Sequence, residues 1–522
     1  MHGNRITKNH WAVLAFLFIS LIGSLSLWQV LRVGVGAWHD SIFYLTAAES
    51  FLNGKGISIF NTTGQLVPLT HFPPLYPLLL AFTSAITYTP VLIAAKIDAV
   101  IFFGGFIFLS GFLVWYYSKN WPASIIASLL VLSSPVILEQ AQMAMTEIPF
   151  LILLGLSIFI FERYLSTGNR TLMIVEGIIL CLAYLLRYAG AYLFAVVILI
   201  SLFFPKIPLK KRLINNAILV AVGAIGILAW SVRNYLIEGS STDRSYFFHP
   251  IRAANLISAF QSIELWFLPV FTHIYIRIIV YLVILILVCL GIYYLFKKHD
   301  LLIRIVGLIV SAQVFYILFL LISLTFFDAS TRLDDRILSP VYYLSVLLIC
   351  ILFGRYFGEK KVTKVVRYGT LILLIGLVFL NSLKSIPTLQ QTYSEGIGFT
   401  GQNWKNSATL KVIQSLPEKT LIYSNQPMPV SFYSKVTADW LPEIRNTIDD
   451  SPNLDYQKQV LSMQSSIDEQ NGLLVIFIPE EKWLIDTMSK DLIPVLSCSD
   501  GVFYSAQGST IVSRLSPQPG CH

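Results

Sequence analysis

The segment VLIAAKIDAVIFFGGFIFLSGFLVWY, residues 91–116, decides the fold class of this chain. Only two of its side chains, Lys96 and Asp98, carry a charge. An α-helix crosses the hydrocarbon core of a bilayer with ~20 predominantly apolar residues, so this segment is long enough to span it. The sequence therefore predicts a transmembrane helix over residues 91–116.

Comparable apolar runs recur along most of the chain, which is 55% hydrophobic and only 13% charged. We therefore predict a polytopic α-helical membrane protein with about eleven spans. The segment 76–90 is apolar but short for a span, which favours an interfacial or re-entrant helix. The predicted spans lie near residues 11–31, 91–116, 121–138, 148–165, 171–186, 189–204, 213–235, 272–296, 301–326, 337–356 and 367–385.

The distribution of basic residues predicts the orientation. Lys and Arg are about twice as frequent in the loops on the side of the N-terminus, which marks that side as cytoplasmic. Acidic residues collect in the loops of the opposite, outer side, so we expect the reactive face there. The net charge of +8 follows from the inner loops and calls for no nucleic-acid partner. Residues 11–31 are expected to be a retained anchor, with the protein in a membrane such as the bacterial plasma membrane.

A change of composition divides the chain into two predicted domains. Residues 1–385 form the membrane module with a first outer loop at 32–90, and residues 386–522 form a small extracytoplasmic α/β domain. Cys498 and Cys521 lie in this second domain and can pair if the compartment is oxidising. Its predicted elements are a helix near 404–415 and β-strands at 421–424, 473–478, 501–504 and 510–512.

Asp40 is the first candidate for chemistry, because ionisable groups at the face of such an apolar protein are often functional. If the stretch from His39 is helical, Asp40 and Tyr44 lie one turn apart on one face. A partly desolvated carboxylate there suits a general base. The alternative is that Asp40 is the N-cap of this helix, since Asp is a preferred residue at that position.

Glu147 is a second candidate carboxylate, in the sequence Thr146-Glu147-Ile148-Pro149. It can face the same cavity as Asp40. Alternatively it only opens the next span, because Pro fits the first helical turn and an acid there interacts well with the helix dipole. The first outer loop has no Asp-x-Asp motif, which weakens the case for a bound divalent metal, so we expect no metal and no cofactor.

Three arginines, Arg187, Arg233 and Arg336, lie at predicted outer helix ends. Arginine binds phosphate through charge-assisted and often bidentate hydrogen bonds, so these residues are candidates for the phosphate of a lipid. The alternatives are snorkelling to lipid headgroups or pairing with nearby acids. Around Arg187, the turn Arg187-Tyr188-Ala189-Gly190 joins two short spans, and is either part of a cavity wall or a simple tight hairpin.

In combination these features resemble the GT-C superfamily of polyprenyl-phosphate-dependent glycosyltransferases. The resemblance is to the branch with the protein O-mannosyltransferases and the transferase that adds aminoarabinose to lipid A. Asp40 opens the first outer loop with Tyr44 one turn on, and Pro73-Pro74-Leu75-Tyr76-Pro77-Leu78-Leu79-Leu80-Ala81 ends it. The second outer loop holds Thr146-Glu147-Ile148-Pro149, and a late outer Arg336 precedes a span containing proline.

The sequence also departs from the family pattern at three places. Many relatives carry Asp-Glu in the first loop where this chain has Asp40-Ser41. A basic residue often precedes the paired prolines, where His71-Phe72 stands here, and Arg336 is followed by Ile337 instead of the common Tyr. These departures concern the sugar and the acceptor more than the type of reaction.

The resemblance implies transfer of a sugar, with inversion, from a polyprenyl-phosphate donor to an extracytoplasmic acceptor hydroxyl. Asp40 would be the general base, and the arginines would stabilise the leaving phosphate. The implied partners are the lipid-linked donor, a protein, lipid or glycan acceptor, and membrane lipids. The implied substrate-binding residues are Tyr44, His71, Glu147, Arg187, Tyr188, Arg233 and Arg336.

Other functions remain open from the sequence. A transporter or lipid flippase without transferase activity has similar hydropathy, although such proteins tend to show internal repeats and none is evident. A sensor or non-catalytic partner whose outer domain binds a ligand is a second alternative. Within the enzymes, an oligosaccharide ligase or polymerase would use a pyrophosphate-linked donor.

Overall fold

The structure is a computed structural model. It describes residues 3–60, 65–204, 206–244, 246–268, 275, 278, 282, 301–328, 331–357, 363–434, 436, 438–446, 451–478, 480, 482–516 and 518–522. Most of the span predicted at 272–296 lies outside the described residues. The chain divides into two compact units, Met1–Arg32 with Thr70–Tyr393, and Val33–Leu69 with Ser394–His522.

The first unit is helical. Its helices are α1 (Gly3–Val30), α3 (Leu75–Thr87), α4 (Val91–Ser118), α5 (Trp121–Ser133), α6 (Pro135–Ala141), α7 (Glu147–Thr167), α8 (Arg170–Leu186), α9 (Ala191–Phe203), α10 (Leu209–Glu238), α11 (Ala253–Phe267), α12 (Leu301–Phe326) and α13 (Asp335–Phe357). The long α14 (Lys364–Glu395) begins in this unit, and a 3₁₀ turn, Tyr188–Gly190, stands between α8 and α9.

Seven of the described helices are long and apolar enough to cross a membrane, and the bent pair α5 and α6 brings the number to eight. This confirms a polytopic helical membrane protein. The predicted spans at 171–186 and 189–204 correspond to α8 and α9, which have 17 and 13 residues. The segment predicted as interfacial or re-entrant, 76–90, corresponds to the 13-residue α3.

The break between α5 and α6 has a local cause. The two helices meet at an angle of 58°. A proline disfavours the helical conformation of the residue before it, and Ser134, which precedes Pro135, has an extended ψ of 123°. The Ser134 hydroxyl accepts a hydrogen bond from the Ile137 backbone N–H at 3.3 Å, so it caps the new helix.

Small residues allow helices of the first unit to pack closely. The hydroxyl of Ser20 in α1 donates to the Gly104 carbonyl of α4 at 2.6 Å, and Ser24 donates to the Val100 carbonyl at 3.2 Å. Small and hydroxyl-bearing residues are the usual contacts between membrane helices, because backbones can approach and polar groups find partners there. Asp98 of α4 also makes a hydrogen bond between helices, since Thr83 of α3 donates to its Oδ1 atom at 2.7 Å, whereas its Oδ2 atom has no hydrogen-bond partner among the described residues.

The second unit combines the first loop with the C-terminal part of the chain. From the loop come α2 (His39–Leu52), β1 (Ser58–Phe60) and β2 (Leu66–Pro68). The C-terminal part supplies α15 (Gln402–Lys405), α16 (Ala408–Gln414), β3 (Ile422–Ser424), α17 (Pro427–Tyr433), β4 (Ala438–Trp440), α18 (Tyr456–Glu469), β5 (Leu473–Phe477), α19 (Lys482–Met488), β6 (Ile493–Cys498), β7 (Gly501–Ser505) and a 3₁₀ helix, Thr510–Arg514.

Five strands of this unit form one mixed sheet in the order β4-β3-β5-β7-β6. Strand β3 pairs in parallel with β4 and β5, and β7 pairs antiparallel with β5 and β6. Side chains alternate along β5: Val475 packs into a core with α16, whereas Leu474 packs into a core with α18. Helices therefore cover both faces, as expected for the α/β domain predicted from the sequence.

The prediction of a strand at 510–512 is wrong, because these residues lie in the 3₁₀ helix. Four strands were not predicted: β4 and β6 of the C-terminal part, and β1 and β2 of the first loop. The disulfide between Cys498 and Cys521 is present and ties the C-terminus to β6. Residues Val33–Leu69 group with the C-terminal part, whereas the sequence places the first outer loop in the membrane module.

Candidate active site

A buried carboxylate joins two of the three candidate arginines in the first unit. The Oε1 atom of Glu147 accepts a hydrogen bond from Nε of Arg336 at 2.6 Å and pairs with the Arg187 guanidinium. The Glu147 side chain is 1% exposed, against 17% for Arg187 and 35% for Arg336. Both bonds fall on Oε1, and Oε2 has no hydrogen-bond partner among the described residues.

Local structure explains how these three side chains meet. Glu147 is the first residue of α7, followed by Pro149 in the first turn, where a missing backbone N–H costs nothing. Arg336 lies in the first turn of α13. Arg187 follows α8 with extended backbone angles, φ −148° and ψ 131°, so the chain leaves the helix at this residue.

Gly190 makes the turn after Arg187 possible. A Cβ atom at Gly190 would lie 2.5 Å from backbone atoms of Ala183 and Tyr184, closer than real contacts allow. Any side chain here would push the turn away from the end of α8. Because Gly190 has no side chain, the turn can pack against the end of α8, and this packing fixes the position of Arg187.

The Arg187–Glu147–Arg336 cluster suits an anion. Two guanidinium groups and one carboxylate leave one formal positive charge, and the partly exposed Arg336 makes the cluster accessible. Guanidinium groups form charge-assisted hydrogen bonds with phosphate oxygens, often two at a time. A carboxylate that holds both cations fixes their orientation before a ligand arrives, which lowers the entropic cost of binding.

A second polar cluster surrounds Tyr188 in the same unit. The Tyr188 hydroxyl donates to the Thr70 carbonyl and accepts from Nε1 of Trp230, each at 3.2 Å. The guanidinium of Arg233 lies 4.4 Å from the centre of the Trp230 ring, and that of Arg244 lies 5.8 Å from the Tyr188 ring. Cations over aromatic faces are attracted by the ring quadrupole, so this cluster also holds positive charge in place.

His71 contacts the loop after α10. Its Nδ1 atom lies 3.4 Å from the Asp243 carbonyl and 3.9 Å from the Asp243 carboxylate. Thr70, the preceding residue, donates through its hydroxyl to Glu238 at 2.8 Å. The end of the first loop is thus joined to the end of α10 within the first unit.

The remaining two predicted site residues, Asp40 and Tyr44, belong to the second unit. Both lie on α2, one turn apart, as predicted. The N-cap is Trp38, so the alternative in which Asp40 caps the helix is wrong. Asp40 instead occupies the first turn, where an acid interacts favourably with the helix dipole. Its exposure is intermediate, while Tyr44 is buried.

Residues from the C-terminal part hold the segment 33–37, which leads into α2. The amine of Lys405 donates to the Val33 carbonyl and the Thr400 hydroxyl to the Val35 carbonyl, both at 2.6 Å. The backbone N–H of Phe399 donates to the Ala37 carbonyl at 2.8 Å. The start of α2, and with it Asp40, is therefore positioned within the second unit by residues that follow α14.

An aromatic cluster stands directly before Asp40. The His39 imidazole stacks on Trp440 with ring centres 5.8 Å apart and meets Phe399 edge-on at 5.3 Å. Trp38 also contacts Phe399 edge-on, at 5.5 Å. Partial burial lowers the pKa of His39 below its ordinary value of 6.5, although the Asp40 carboxylate acts in the opposite direction.

The structure thus brings together Glu147, Arg187 and Arg336, and places Tyr188 beside Trp230 near Arg233. Among the residues the structure describes, no group of three or more His, Cys, Asp or Glu side chains could hold a metal ion. The sequence analysis missed the roles of Trp230, Arg244, Phe399 and Trp440. Trp230 had a detectable signal, since it lies in the aromatic and basic run 230–235, whereas Phe399 and Trp440 contact residues some 360 to 400 positions away.

No family model and no curated protein matches the chain. Solved structures of GT-C superfamily glycosyltransferases do match its fold. ArnT from Cupriavidus metallidurans bound to undecaprenyl phosphate has a TM-score of 0.59 at 12% identity, over 98% of this chain and 99% of that one. The oligosaccharyltransferase AglB from Archaeoglobus fulgidus, with an inhibitory peptide and a dolichol-phosphate, has a TM-score of 0.56 at 12% identity, over 92% and 71%.

The arabinofuranosyltransferase AftD from Mycobacteria also matches, with a TM-score of 0.55 at 12% identity. The match covers 95% of this chain but 40% of AftD. At such low identity these similarities show a shared fold. They confirm the GT-C architecture expected from the sequence.

Proposed function

We propose that this chain is an integral-membrane glycosyltransferase that moves a sugar from a polyprenyl-phosphate donor to an acceptor hydroxyl on the extracytoplasmic side. The main support for the proposal is that the buried Glu147 contacts both Arg187 and Arg336, which together form a site for an anion. The fold is shared with ArnT, whose structure contains undecaprenyl phosphate. A lipid phosphate is the anion that best fits two arginines at the ends of membrane helices.

The reaction creates a negative charge on the leaving phosphate, which two arginines can stabilise. The acceptor oxygen attacks the anomeric carbon, and the bond between that carbon and the phosphate oxygen breaks. The electron pair stays on the phosphate, which changes from a singly charged diester to a monoester with a second negative charge. Arg187 and Arg336 would stabilise the charge as it develops, since preorganised donors act most strongly on charge that appears in the transition state.

Asp40 would take the proton of the acceptor hydroxyl. Attack from the face opposite the leaving phosphate inverts the anomeric configuration. Glu147 is less suited to the role of base, because its Oε1 atom already accepts from two guanidinium groups. Tyr44 and His71 would then help to position the substrates, and Tyr188 and Arg233 would extend the charged surface around the phosphate.

The proposed reaction needs no metal, because the two arginines supply the positive charge that a phosphate leaving group requires. Activity that persists in EDTA would support this part of the proposal. Activity that depends on an added divalent ion would contradict it.

The test is release of polyprenyl phosphate by the purified full chain in nanodiscs, followed by mass spectrometry with a panel of polyprenyl-phosphate sugars. We expect wild type to release lipid phosphate from one of these donors. Loss of a general base costs on the order of 100- to 10,000-fold in rate, so Asp40→Asn should nearly abolish release. Asp468→Asn, an exposed acid on α18, serves as the matched control.

Each outcome of this test has a defined meaning. Equal release by wild type and Asp40→Asn would contradict the assignment of Asp40 as base. Transbilayer movement of the intact lipid-linked sugar, without cleavage of any donor, would favour the flippase alternative.

A further inference from the structure

The aromatic cluster beside Asp40 has one side buried and one side exposed. Phe399 is 2% exposed, and its carbonyl accepts a hydrogen bond from the Tyr433 hydroxyl at 2.7 Å. Trp38 and Trp440 are 45% and 41% exposed. Phe399 is thus a fixed anchor, and the indoles of Trp38 and Trp440 are held on the surface around it.

The exposed rings are fixed in place by their surroundings. Trp440 ends β4, one of the two edge strands of the sheet, and stacks on His39 with an angle of 25° between the ring planes. Trp38 is the N-cap of α2, where its backbone N–H donates to the Ser41 hydroxyl at 3.1 Å, and its ring meets the buried Phe399 edge-on at 5.5 Å. Rigid aromatic side chains bind ligands at a low entropic cost, because few rotatable bonds have to be fixed.

These rings match the chemistry of a sugar. One face of a pyranose ring presents C–H groups with partial positive charge, which are attracted to the negatively charged face of an aromatic ring. The hydroxyl groups around the sugar edge need polar partners, which the His39 imidazole and the Asp40 carboxylate provide. The surface thus places aromatic faces beside polar groups, which complements the apolar face and the hydroxyl groups of a sugar ring.

Other acceptors fit this surface less well. A lipid chain would have to cover the Asp40 carboxylate, and it offers no hydrogen-bond donor in place of the water that it displaces, which is costly. An extended peptide commonly pairs its backbone with a free strand edge, and the edge strand at this place, β4, offers only three residues for such pairing. A sugar ring, with an apolar C–H face and hydroxyl groups around its edge, can contact both the aromatic rings and the polar groups at this place.

We propose that Trp38, His39 and Trp440 form a binding site for a sugar ring of a glycan acceptor. This inference rests on the proposed function, because it places the acceptor next to the residue that would deprotonate it. It narrows the acceptor from protein, lipid or glycan to a glycan, or to a lipid that presents a sugar.

The test is saturation-transfer NMR on the full chain in nanodiscs without any donor. The probes are methyl α- and β-glycosides of glucose, galactose, mannose, N-acetylglucosamine and arabinose, with cyclohexanemethanol and an acetylated Ser-Thr peptide for comparison. We expect saturation of the C–H hydrogens on one face of at least one sugar. Loss of one stacking ring should weaken this binding roughly 3- to 10-fold in Trp440→Ala, as for other aromatic contacts.

Two further variants make the result decisive. Trp440→Phe keeps an aromatic face and should retain binding. Trp483→Ala removes a tryptophan of the same unit that is 47% exposed, and should leave binding unchanged. Absence of saturation for every glycoside, equal binding by Trp440→Ala, or preferred binding of the peptide or cyclohexanemethanol would overturn the proposal.

Failure of this proposal is distinguishable from failure of the proposed function. Glycoside binding needs neither donor nor proton transfer, and Asn keeps a polar side chain for the sugar hydroxyls, so Asp40→Asn should bind glycosides more weakly but still measurably. If donor cleavage occurs but no glycoside binds, the transferase remains and its acceptor is not a glycan. If glycosides bind and no donor is cleaved, the site is a sugar-binding site of a protein with another activity.

Discussion

Arg336 donates through Nε to Oε1 of Glu147 at 2.6 Å, although 189 residues separate the two in the chain. The carboxylate is buried at the first turn of α7, and the arginine lies in the first turn of α13. A buried carboxylate is costly unless cations and hydrogen bonds compensate it. The pair therefore fixes the orientation of a guanidinium group that is still 35% exposed.

Substitution Arg336→Gln should remove positive charge at the proposed phosphate site and keep a polar side chain. We expect the turnover number for release of polyprenyl phosphate to fall by roughly 100- to 1,000-fold, as it does when one donor to developing negative charge is removed. The matched control is Arg304→Gln. Arg304 pairs with another buried acid of α7, Glu162, at 3.4 Å.

The control separates a general loss of structure from a local loss of charge. If both variants lost activity equally, the effect would be structural and the assignment of Arg336 would fail. Full activity of Arg336→Gln would contradict it as well.

Substitution Gly398→Ala should displace the segment 33–37 before α2. Gly398 has a φ of +61°, and a Cβ atom there would overlap the Ala37 carbonyl oxygen. A left-handed backbone costs a residue with a side chain about 1–2 kcal/mol, and the overlap adds to this cost. We therefore expect faster proteolysis around residues 33–40 and reduced donor cleavage.

Gly508→Ala is the control for this effect. Gly508 has a φ of +83°, but nothing lies within 4 Å of its added Cβ. Gly508→Ala therefore has the same cost of a left-handed backbone as Gly398→Ala, but its Cβ atom overlaps no other atom. Equal proteolysis and activity of the two variants would show that the contact between Gly398 and Ala37 does not position Asp40.

His39 should make the second unit less stable in acid. Its pKa in the folded protein lies below 6.5, mainly because burial disfavours the charged imidazole. Between the two pKa values the unfolded chain binds more protons, so this contribution is complete above about pH 7.5 and is lost as the pH falls through 6.5. Below the pKa of His39 in the folded state, a further fall in pH causes no further loss of stability from this residue.

Thermal unfolding in nanodiscs, followed by tryptophan fluorescence at pH 5.5 and pH 7.5, checks this prediction. His39→Phe keeps a ring against Phe399 and Trp440 but cannot titrate. We expect a smaller difference in Tm between the two pH values for this variant than for wild type. An unchanged difference, or greater stability of wild type at pH 5.5, would contradict the prediction.

The sequence predicted the architecture well because membrane burial is a local property. An apolar run of sufficient length predicts a membrane span by itself. Residues such as Pro149 likewise indicate the start of a helix without information from the rest of the chain. The type of the C-terminal domain followed in the same way from short β-rich runs. The prediction was wrong at 510–512, where a β-branched run forms a 3₁₀ helix.

The candidate site was predicted only in part, since it depends on contacts between distant residues. Glu147 and Arg336 were each identified as candidates, but the sequence around each residue does not indicate that the two side chains are in contact. The contact of Phe399 with His39 likewise joins residues some 360 positions apart. Such pairs are set by the packing of helices and by the sheet, so a single sequence does not reveal them.

The most direct test of this account is binding of undecaprenyl phosphate to the full chain in nanodiscs, measured by native mass spectrometry. Wild type should bind the lipid. The double variant Arg187→Gln/Arg336→Gln should bind it at least about tenfold more weakly, because charge-assisted hydrogen bonds to the phosphate are lost. Arg304→Gln should bind as wild type does. Equal binding by wild type and the double variant would contradict the claim that Glu147 holds these two arginines for a lipid phosphate.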